Sequence, residues 1–420
     1  MPPRRRKPSN GPEVDEPDRS LSLPEDREPP PPFFNTTFSA HRASPLYVGS
    51  NTLNYNRLQT LSQRLRDTLV GDVVRGVQVG LEGNDSSLGR AGPLEKVGIR
   101  WVGVDALLRG ADDADADVSR ELRSDTGESN SPVKRRCLVL EMRYENALCT
   151  AMLLPSISDK AQDAPGGGLQ SAKELDIPGL PGSGSSRDDT HFIRLPLLLL
   201  RMPAPLKTII VDFLSGTFDC RISPMHLGTK SLTSAWERWI QDAGLPSKGP
   251  LAKDMVLTLG FYVPPSETAE GEEEQAAETL GIKSIDVIIP ADDLRRFTTE
   301  GEAILSNDTP SSKRKALTQG YEEDGRMRKR LAGGKADEGW AWRTQNKQSG
   351  QPFLEAVGAY LEKHLALNLF HPGVRIIKVA CGGFVLSEGR VKIFTPPGEG
   401  DEVFAPVKNL VGDLVASAAG

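Results

Sequence analysis

Apolar residues recur along this chain in two rhythms, one of three and four residues and one of two, with long polar stretches between. Leu58, Leu61, Leu65 and Leu69 step by three and four, with Arg57, Arg64, Arg66 and Asp67 around them. That spacing predicts an amphipathic helix over 57–70, ending at Gly71. Val73, Val77, Val79 and Leu81 then read as a strand. "VGIRWVGV" (97–104) and "RCLVLEMRYENALCTAMLL" (136–154) continue the β pattern, the second turning at Glu145-Asn146. "TIIVDFLSGTFDCRI" (208–222) reads as two strands about a two-residue turn at Ser215-Gly216. "SAWERWIQDAG" (234–244) predicts a short helix, with Ser234 and Glu237 as a capping box and Gly244 as its stop. "MVLTLGFYV" (255–263) and "KSIDVIIP" (283–290) are two more strands. Phe353, Val357, Leu361, Leu365 and Leu369 mark the longest helix, closed by His371-Pro372-Gly373. The strands "VRIIKVACGGFVL" and "GRVKIF" follow around Ser387-Glu388-Gly389, the paired glycines reading as a bulge or a close backbone approach.

Most consecutive strands are joined by short turns rather than by helices. The fold class is therefore α+β, a curved and mostly antiparallel sheet with helices packed on one face, interrupted by insertions. "FFNTTFSAHRASPLYVG" (33–49) opens the body. Phe34, Phe38, Leu46 and Val48 lay its first apolar layer, and Pro45 breaks the run.

Composition changes the picture by removing length from the core. Apolar residues make up 38 % of the 420, while Gly (41) and Pro (32) are abundant, so loops and tails take a large share. Residues 1–32, rich in Pro and in charge, are expected to be disordered. A body over 33–298 carries insertions at about 109–132, 158–189 and 264–281, the last with six glutamates and no basic residue. A basic insertion fills 299–350, a C-terminal helix and hairpin 351–396, and a tail 397–420.

Candidate chemistry is sparse. Asp113, Asp115 and Asp117 alternate as in a calcium loop, but Val118 stands where the loop needs Gly and Ser124 where it needs Glu. "APGGGLQSAK" lacks the Gly-Lys-Ser/Thr ending of a phosphate cradle. The five histidines show no zinc-enzyme spacing, and no Gly-x-Ser-x-Gly elbow occurs. Cys137, Cys149, Cys220 and Cys381 lie apart in apolar runs, which reads as buried thiols in a reducing compartment. The longest leucine run, 195–200, is far below the ~20 residues of a membrane span. The expectation is a soluble, intracellular, non-enzymatic protein with no cofactor, metal, membrane or small-molecule substrate.

The net charge of −6 argues against a surface that coats nucleic acid throughout, though it leaves a local basic face open. Between 313 and 335, eight Lys or Arg stand against three acids. Lys313, Arg314, Lys315, Arg326, Arg328, Lys329 and Arg330 form a candidate nuclear-import signal, nucleic-acid phosphates being the other reader of such a run. Arg57, Arg64 and Arg66 are candidate DNA-backbone contacts, or simply the solvated face of their helix.

Several of these blocks, in this order, resemble one family. "FFNTTFSAHRASPLYVG" with "RLQTLSQRLRDTLVGDVVRGVQVGL", then "SIDVIIPADDLRRF" (284–297), then "FLEAVGAYLEKHLALNLFHPGVRIIKVACGGFVLSEGRVKIF" (353–394) are similar to fungal members of the centromere protein CENP-L family. The resemblance spans about 33–394. It implies an inner-kinetochore subunit that pairs with a CENP-N-like protein, works beside other subunits of the constitutive centromere-associated network, and meets the CENP-A nucleosome or its DNA mainly through that complex. It also implies that the partner is held by the C-terminal part. There Ile376, Val379, Phe384, Leu386, Val391 and Ile393 are the candidate partner-binding residues, with filling of the protein's own core as the other reading. A free-standing nuclear nucleic-acid-binding protein using the basic insertion is the alternative function.

Overall fold

A computed structural model of the chain describes residues 29–50, 53–74, 91–109, 135–156, 191–245, 249, 251–262, 282–307, 325–340, 342–343, 350–398 and 400–419. The 73–81 strand lies almost wholly outside these residues, as do most of the insertions and of the N-terminal tail.

Eleven strands form one open, antiparallel sheet. In chain order they are β1 (Thr37–Ala43), β3 (Leu94–Gly103), β4 (Arg136–Tyr144), β5 (Ala147–Leu154), β7 (Leu197–Arg201), β8 (Ile222–Pro224), β9 (Met255–Phe261), β10 (Ser284–Ile289), β11 (Val374–Ala380), β12 (Phe384–Ser387) and β13 (Arg390–Ile393). Their spatial order is β10-β9-β11-β12-β13-β1-β7-β5-β4-β3, with β8 also pairing to β1. A two-stranded ribbon, β2 (Leu46–Tyr47) with β6 (Phe192–Ile193), sits apart. The α+β architecture is as the turn pattern implies. The predicted turn at Glu145-Asn146 joins β4 to β5, and β9 pairs with β10 across the acidic insertion.

Among the described residues there are eight helices: α1 (Tyr55–Val74), α2 (Val104–Arg109), α3 (Ala204–Phe218), α4 (Thr229–Ala243), α5 (Ala291–Asn307), α6 (Gly325–Leu331), α7 (Pro352–Leu365) and α8 (Asp401–Ala419). Alternation along the central strands shows how they share the sheet. Leu197 and Leu199 enter one core while Leu198 and Leu200 enter another, and Cys137/Val139 against Leu138/Leu140 do the same. The larger core lies under α4, α7 and α8 along the full width of the sheet. The smaller one is closed by α1 and α3, and only on the N-terminal half. Strands buried on both faces read as continuous apolar runs, which is why "LPLLLL" alternates so little.

Local expectations are corrected in several places. In the 208–222 stretch there is no hairpin about Ser215-Gly216: Ile222 opens β8, and 208–218 belong to a helix, α3. Leu206, Ile210, Phe213, Leu214 and Phe218 share its buried side, and Asp219, at φ 44°, ends it. A helix buried along one side reads as a strand pair when β-branched residues are dense. Helix α4 begins at Thr229 rather than Ser234, so Glu237 is an interior residue, not a cap partner. Helix α1 runs through Gly71 to Val74 and, at 20 residues, is longer than α7, which stops at Leu365 with Ala366 left-handed. Gly382 and Gly383 mark a turn, not a bulge, and split the predicted strand into β11 and β12. A Cβ at 382 would strike the Leu251 backbone, and one at 383 the Trp239 indole.

Two stretches set aside as insertion and tail carry structure. From 397–420 comes α8, with Val407, Leu410, Val411, Leu414 and Val415 buried in the larger core. Helix α5 extends to Asn307, and after α6 the residues 332–340, 342 and 343 lie as a strap against the body.

Candidate interaction surfaces

The strap shows how tightly the C-terminal half is tied. Trp340 is 2 % exposed, and its Nε1–H donates to the Val374 carbonyl at 3.0 Å. Glu338, also buried, accepts from the Thr229 N–H at 3.3 Å and from the Thr229 hydroxyl, which in turn accepts from the Ile376 N–H at 3.1 Å. One carboxylate thus links strap, α4 and β11. A second buried carboxylate, Glu237, accepts from the N–H of Leu354 at 3.1 Å, at the start of α7. Burial pushes its carboxyl up to about 7; the Leu354 bond works against that, and nearby Glu355 adds to it. Glu355 is paired with Arg343, whose guanidinium lies 3.7 Å over the Phe370 ring. Sequence reading missed this strap because its surroundings are polar; the signal was Trp340 and Trp342 at a spacing of two.

The six hairpin residues are placed in the protein's own interior. Ile376, Val379, Phe384, Leu386, Val391 and Ile393 are each at most 2 % exposed and belong to the larger core. Phe384 meets Trp239 edge-on at 5.2 Å and Trp236 at 6.5 Å. Strand alternation explains the correction: choosing the apolar residues of each strand chooses its core face. The surface is what alternates with them. Ile288, Val256, Ala380, Val385 and Lys392 run across β10, β9, β11, β12 and β13 as one row of neighbours, with Lys378, Ser387 and Arg390 in the next. A bulge after Ile376 turns both Ile377 and Lys378 to this side. At the sheet edge, β10 carries Ile288 at 62 % exposure, with Ile282 at 69 % just before it.

The arginines of α1 are not gathered on one face. Arg57 and Arg64 lie on the same flank, whereas Arg66, two residues on, is turned a further ~200°. Arg64 and Arg66 are exposed, while Arg57 donates to the Val48 carbonyl at 2.7 Å. Of the import candidates, Lys313, Arg314 and Lys315 lie outside the described residues. Arg326, Arg328, Lys329 and Arg330 sit on α6, one turn before the strap, with Arg326 and Lys329 exposed.

All four cysteines are buried and unpaired, and burial pushes Cys137 up to about 12 and Cys149 and Cys381 to about 11. Such thiols are inert fillers. Among the described residues no group of His, Cys, Asp or Glu is arranged to hold a metal ion, and no helix is long and apolar enough to cross a membrane.

No curated protein matches the chain. A family model described as centromere protein L matches residues 32–419, which takes in α8 and extends past the 394 limit of the resemblance. That family is one of structural kinetochore proteins, tied to the centromere, the nucleus and chromosome segregation. With its open antiparallel sheet, and with the family match covering nearly its whole length, this chain belongs to the CENP-L, or centromere protein L, family.

Proposed function

We propose that this chain is a non-enzymatic inner-kinetochore subunit that heterodimerises with a CENP-N-like protein and helps link CENP-A chromatin to the kinetochore. The observation that carries this reading is the edge strand β10. It has one sheet neighbour, β9, among the described residues, and it exposes Ile288 at 62 %. An edge with free N–H and C=O groups and exposed apolar side chains is a template for a partner's strand. It lies before the 351–396 part from which the family resemblance implies the partner is held, but it is joined through β9 to β11 of that part, so the exposed face is continuous with it.

Contact with centromeric DNA or nucleosome is made mainly through the complex; of Arg57, Arg64 and Arg66, exposed Arg64 is the backbone contact of this chain, since Arg57 is tied to the Val48 carbonyl and Arg66 faces another way. Other network subunits join through the same assembly. The basic residues from Lys313 to Arg330 serve nuclear import.

The test is co-expression with the CENP-N-like chain and light scattering of the product. A one-to-one complex that survives nuclease, and that Ile288→Lys prevents without changing the melting temperature of the lone chain, supports the reading. A wild-type chain that stays alone and binds DNA with a steep salt dependence would favour the free-standing nucleic-acid-binding alternative.

A further inference from the structure

We propose that the cleft where β1, β7 and β13 meet the start of α3 binds a phosphorylated side chain of a partner polypeptide. The cleft has a volume of about 400 Å³. That is toward the small end of ligand sites and suits one phosphorylated residue with a neighbour. Arg201 at the end of β7, Lys207 on the first turns of α3 and Arg390 at the start of β13 all line it.

Three observations agree on an anion. The first is unbalanced charge: none of Arg201, Lys207 and Arg390 is ion-paired among the described residues. Burial and the charge of Arg390 hold Lys207 below the usual lysine range, so Lys207 and Arg390 repel one another at close quarters. The second is the helix end. The N-cap of the 15-residue α3 is Pro203, which makes no side-chain cap bond and lines the cleft. Uncapped N–H groups and the positive end of the helix dipole both favour a bound anion. The third is hydrogen-bonding reach: two guanidiniums and an ammonium supply the fork and point donors by which phosphate is held.

The walls favour a peptide over a nucleic acid. Leu148, Met202 and Pro203 stand beside the cations and would meet the apolar flanks of a peptide. A duplex is gripped instead by cations spread along its backbone, whereas these three come from three elements to one point. The inference is independent of the heterodimer reading. Strand β1 lies five strand positions from β10, about 24 Å away at ~4.8 Å per strand, so either site can fail without the other.

The experiment is fluorescence anisotropy of the full chain at physiological salt. The probes are a degenerate phosphoserine peptide library with apolar flanks, its unphosphorylated twin, and a short duplex DNA. The phosphorylated library should bind about tenfold or more tightly than its twin, as loss of one charged hydrogen-bonding partner implies, and inorganic phosphate should displace it. Lys207→Gln and Arg390→Gln should each weaken binding about tenfold with an unchanged melting temperature, and Arg64→Gln should leave it alone. Arg390 is exposed, so its variant keeps the test valid if Lys207→Gln fails to fold. Equal binding of the two libraries, wild-type affinity in the folded variants, or binding of the duplex alone would overturn the proposal.

Discussion

The Trp239 indole meets the Phe384 ring edge-on, with centroids 5.2 Å apart, across the backbone of Gly383. The pair fastens α4 to the β11–β12 turn, and Gly383 leaves the room that the indole occupies. Phe384→Ala should therefore cost about 3–5 kcal/mol of stability, and Phe384→Asp or Ile393→Asp should leave no folded chain. Gly383→Ala should also destabilise, because its Cβ has no room beside Trp239. Urea titration of each variant checks this; a soluble, native-like Phe384→Asp chain would return the residue to the surface.

The strap offers a second measurement. Trp340→Ala removes a buried aromatic and leaves the Val374 carbonyl without its donor, so a loss of about 3–5 kcal/mol is expected. Trp340→Phe should recover most of the packing but not the hydrogen bond. Proteolysis is the sharper readout, because cleavage in 332–343 should accelerate in the alanine variant well before global unfolding.

Glu237 gives the fold a pH signature of definite sign. Its folded pKa is raised from 4.5 to about 7, so the native state holds this proton more tightly than the unfolded chain does. That contribution is fully present below about 4.5 and is lost as pH rises through 7. The full swing is on the order of 3 kcal/mol, at ~1.36 kcal/mol per pKa unit. Glu237→Gln keeps an acceptor for the Leu354 N–H and should flatten the stability difference between pH 5.5 and pH 8. Denaturation curves of the two proteins at both pH values isolate Glu237 from other titrating groups.

Helix α8 should be needed for folding. Phe404, Val407, Leu410, Val411, Leu414 and Val415 are buried, Phe34 lies 6.2 Å from Phe404, and Lys408 is paired with Asp105 at 2.9 Å. A chain ending at residue 400 should accumulate as insoluble protein. Val411→Asp should do the same in the full chain, and Lys408→Ala should cost little, as an exposed ion pair does. Soluble yield and circular-dichroism melts distinguish the three.

What could be read in advance depended on how many faces an element buries. Helix α1, with one leucine stripe, and the β4–β5 hairpin, with a turn pair at Glu145-Asn146, are each written in a local pattern. Helix α3 is not, because "TIIVDFL" has the β-branched density of a strand and only its burial side at 206, 210, 213, 214 and 218 separates the two. Helix α8 falls in the stretch expected to be a tail, though Phe404, Val407, Val411 and Leu414 step by three and four. The six apolar residues of β11, β12 and β13 lie in the core for a different reason. In a one-sided strand the apolar positions mark the core, so a surface has to be sought among the residues between them, here Ile288, Val385 and Lys392. The cleft of Arg201, Lys207 and Arg390 joins residues far apart in sequence, and no local pattern announces it.

Strand β1 lies between β13 and β7, so Thr37 is bonded to the strand of Lys392 on one side and Ser39 to that of Leu200 on the other. Its His41–Ala43 end is joined by β8 midway along the chain, but its Thr37–Ser39 end waits on the ribosome for nearly the whole chain before β13 exists. During that interval Phe38 and one row of backbone groups have no cover. Sheets closed by such distant pairings form slowly and are exposed to misassociation, so the window in which this protein needs a chaperone should end only when β13 and α8 have been made.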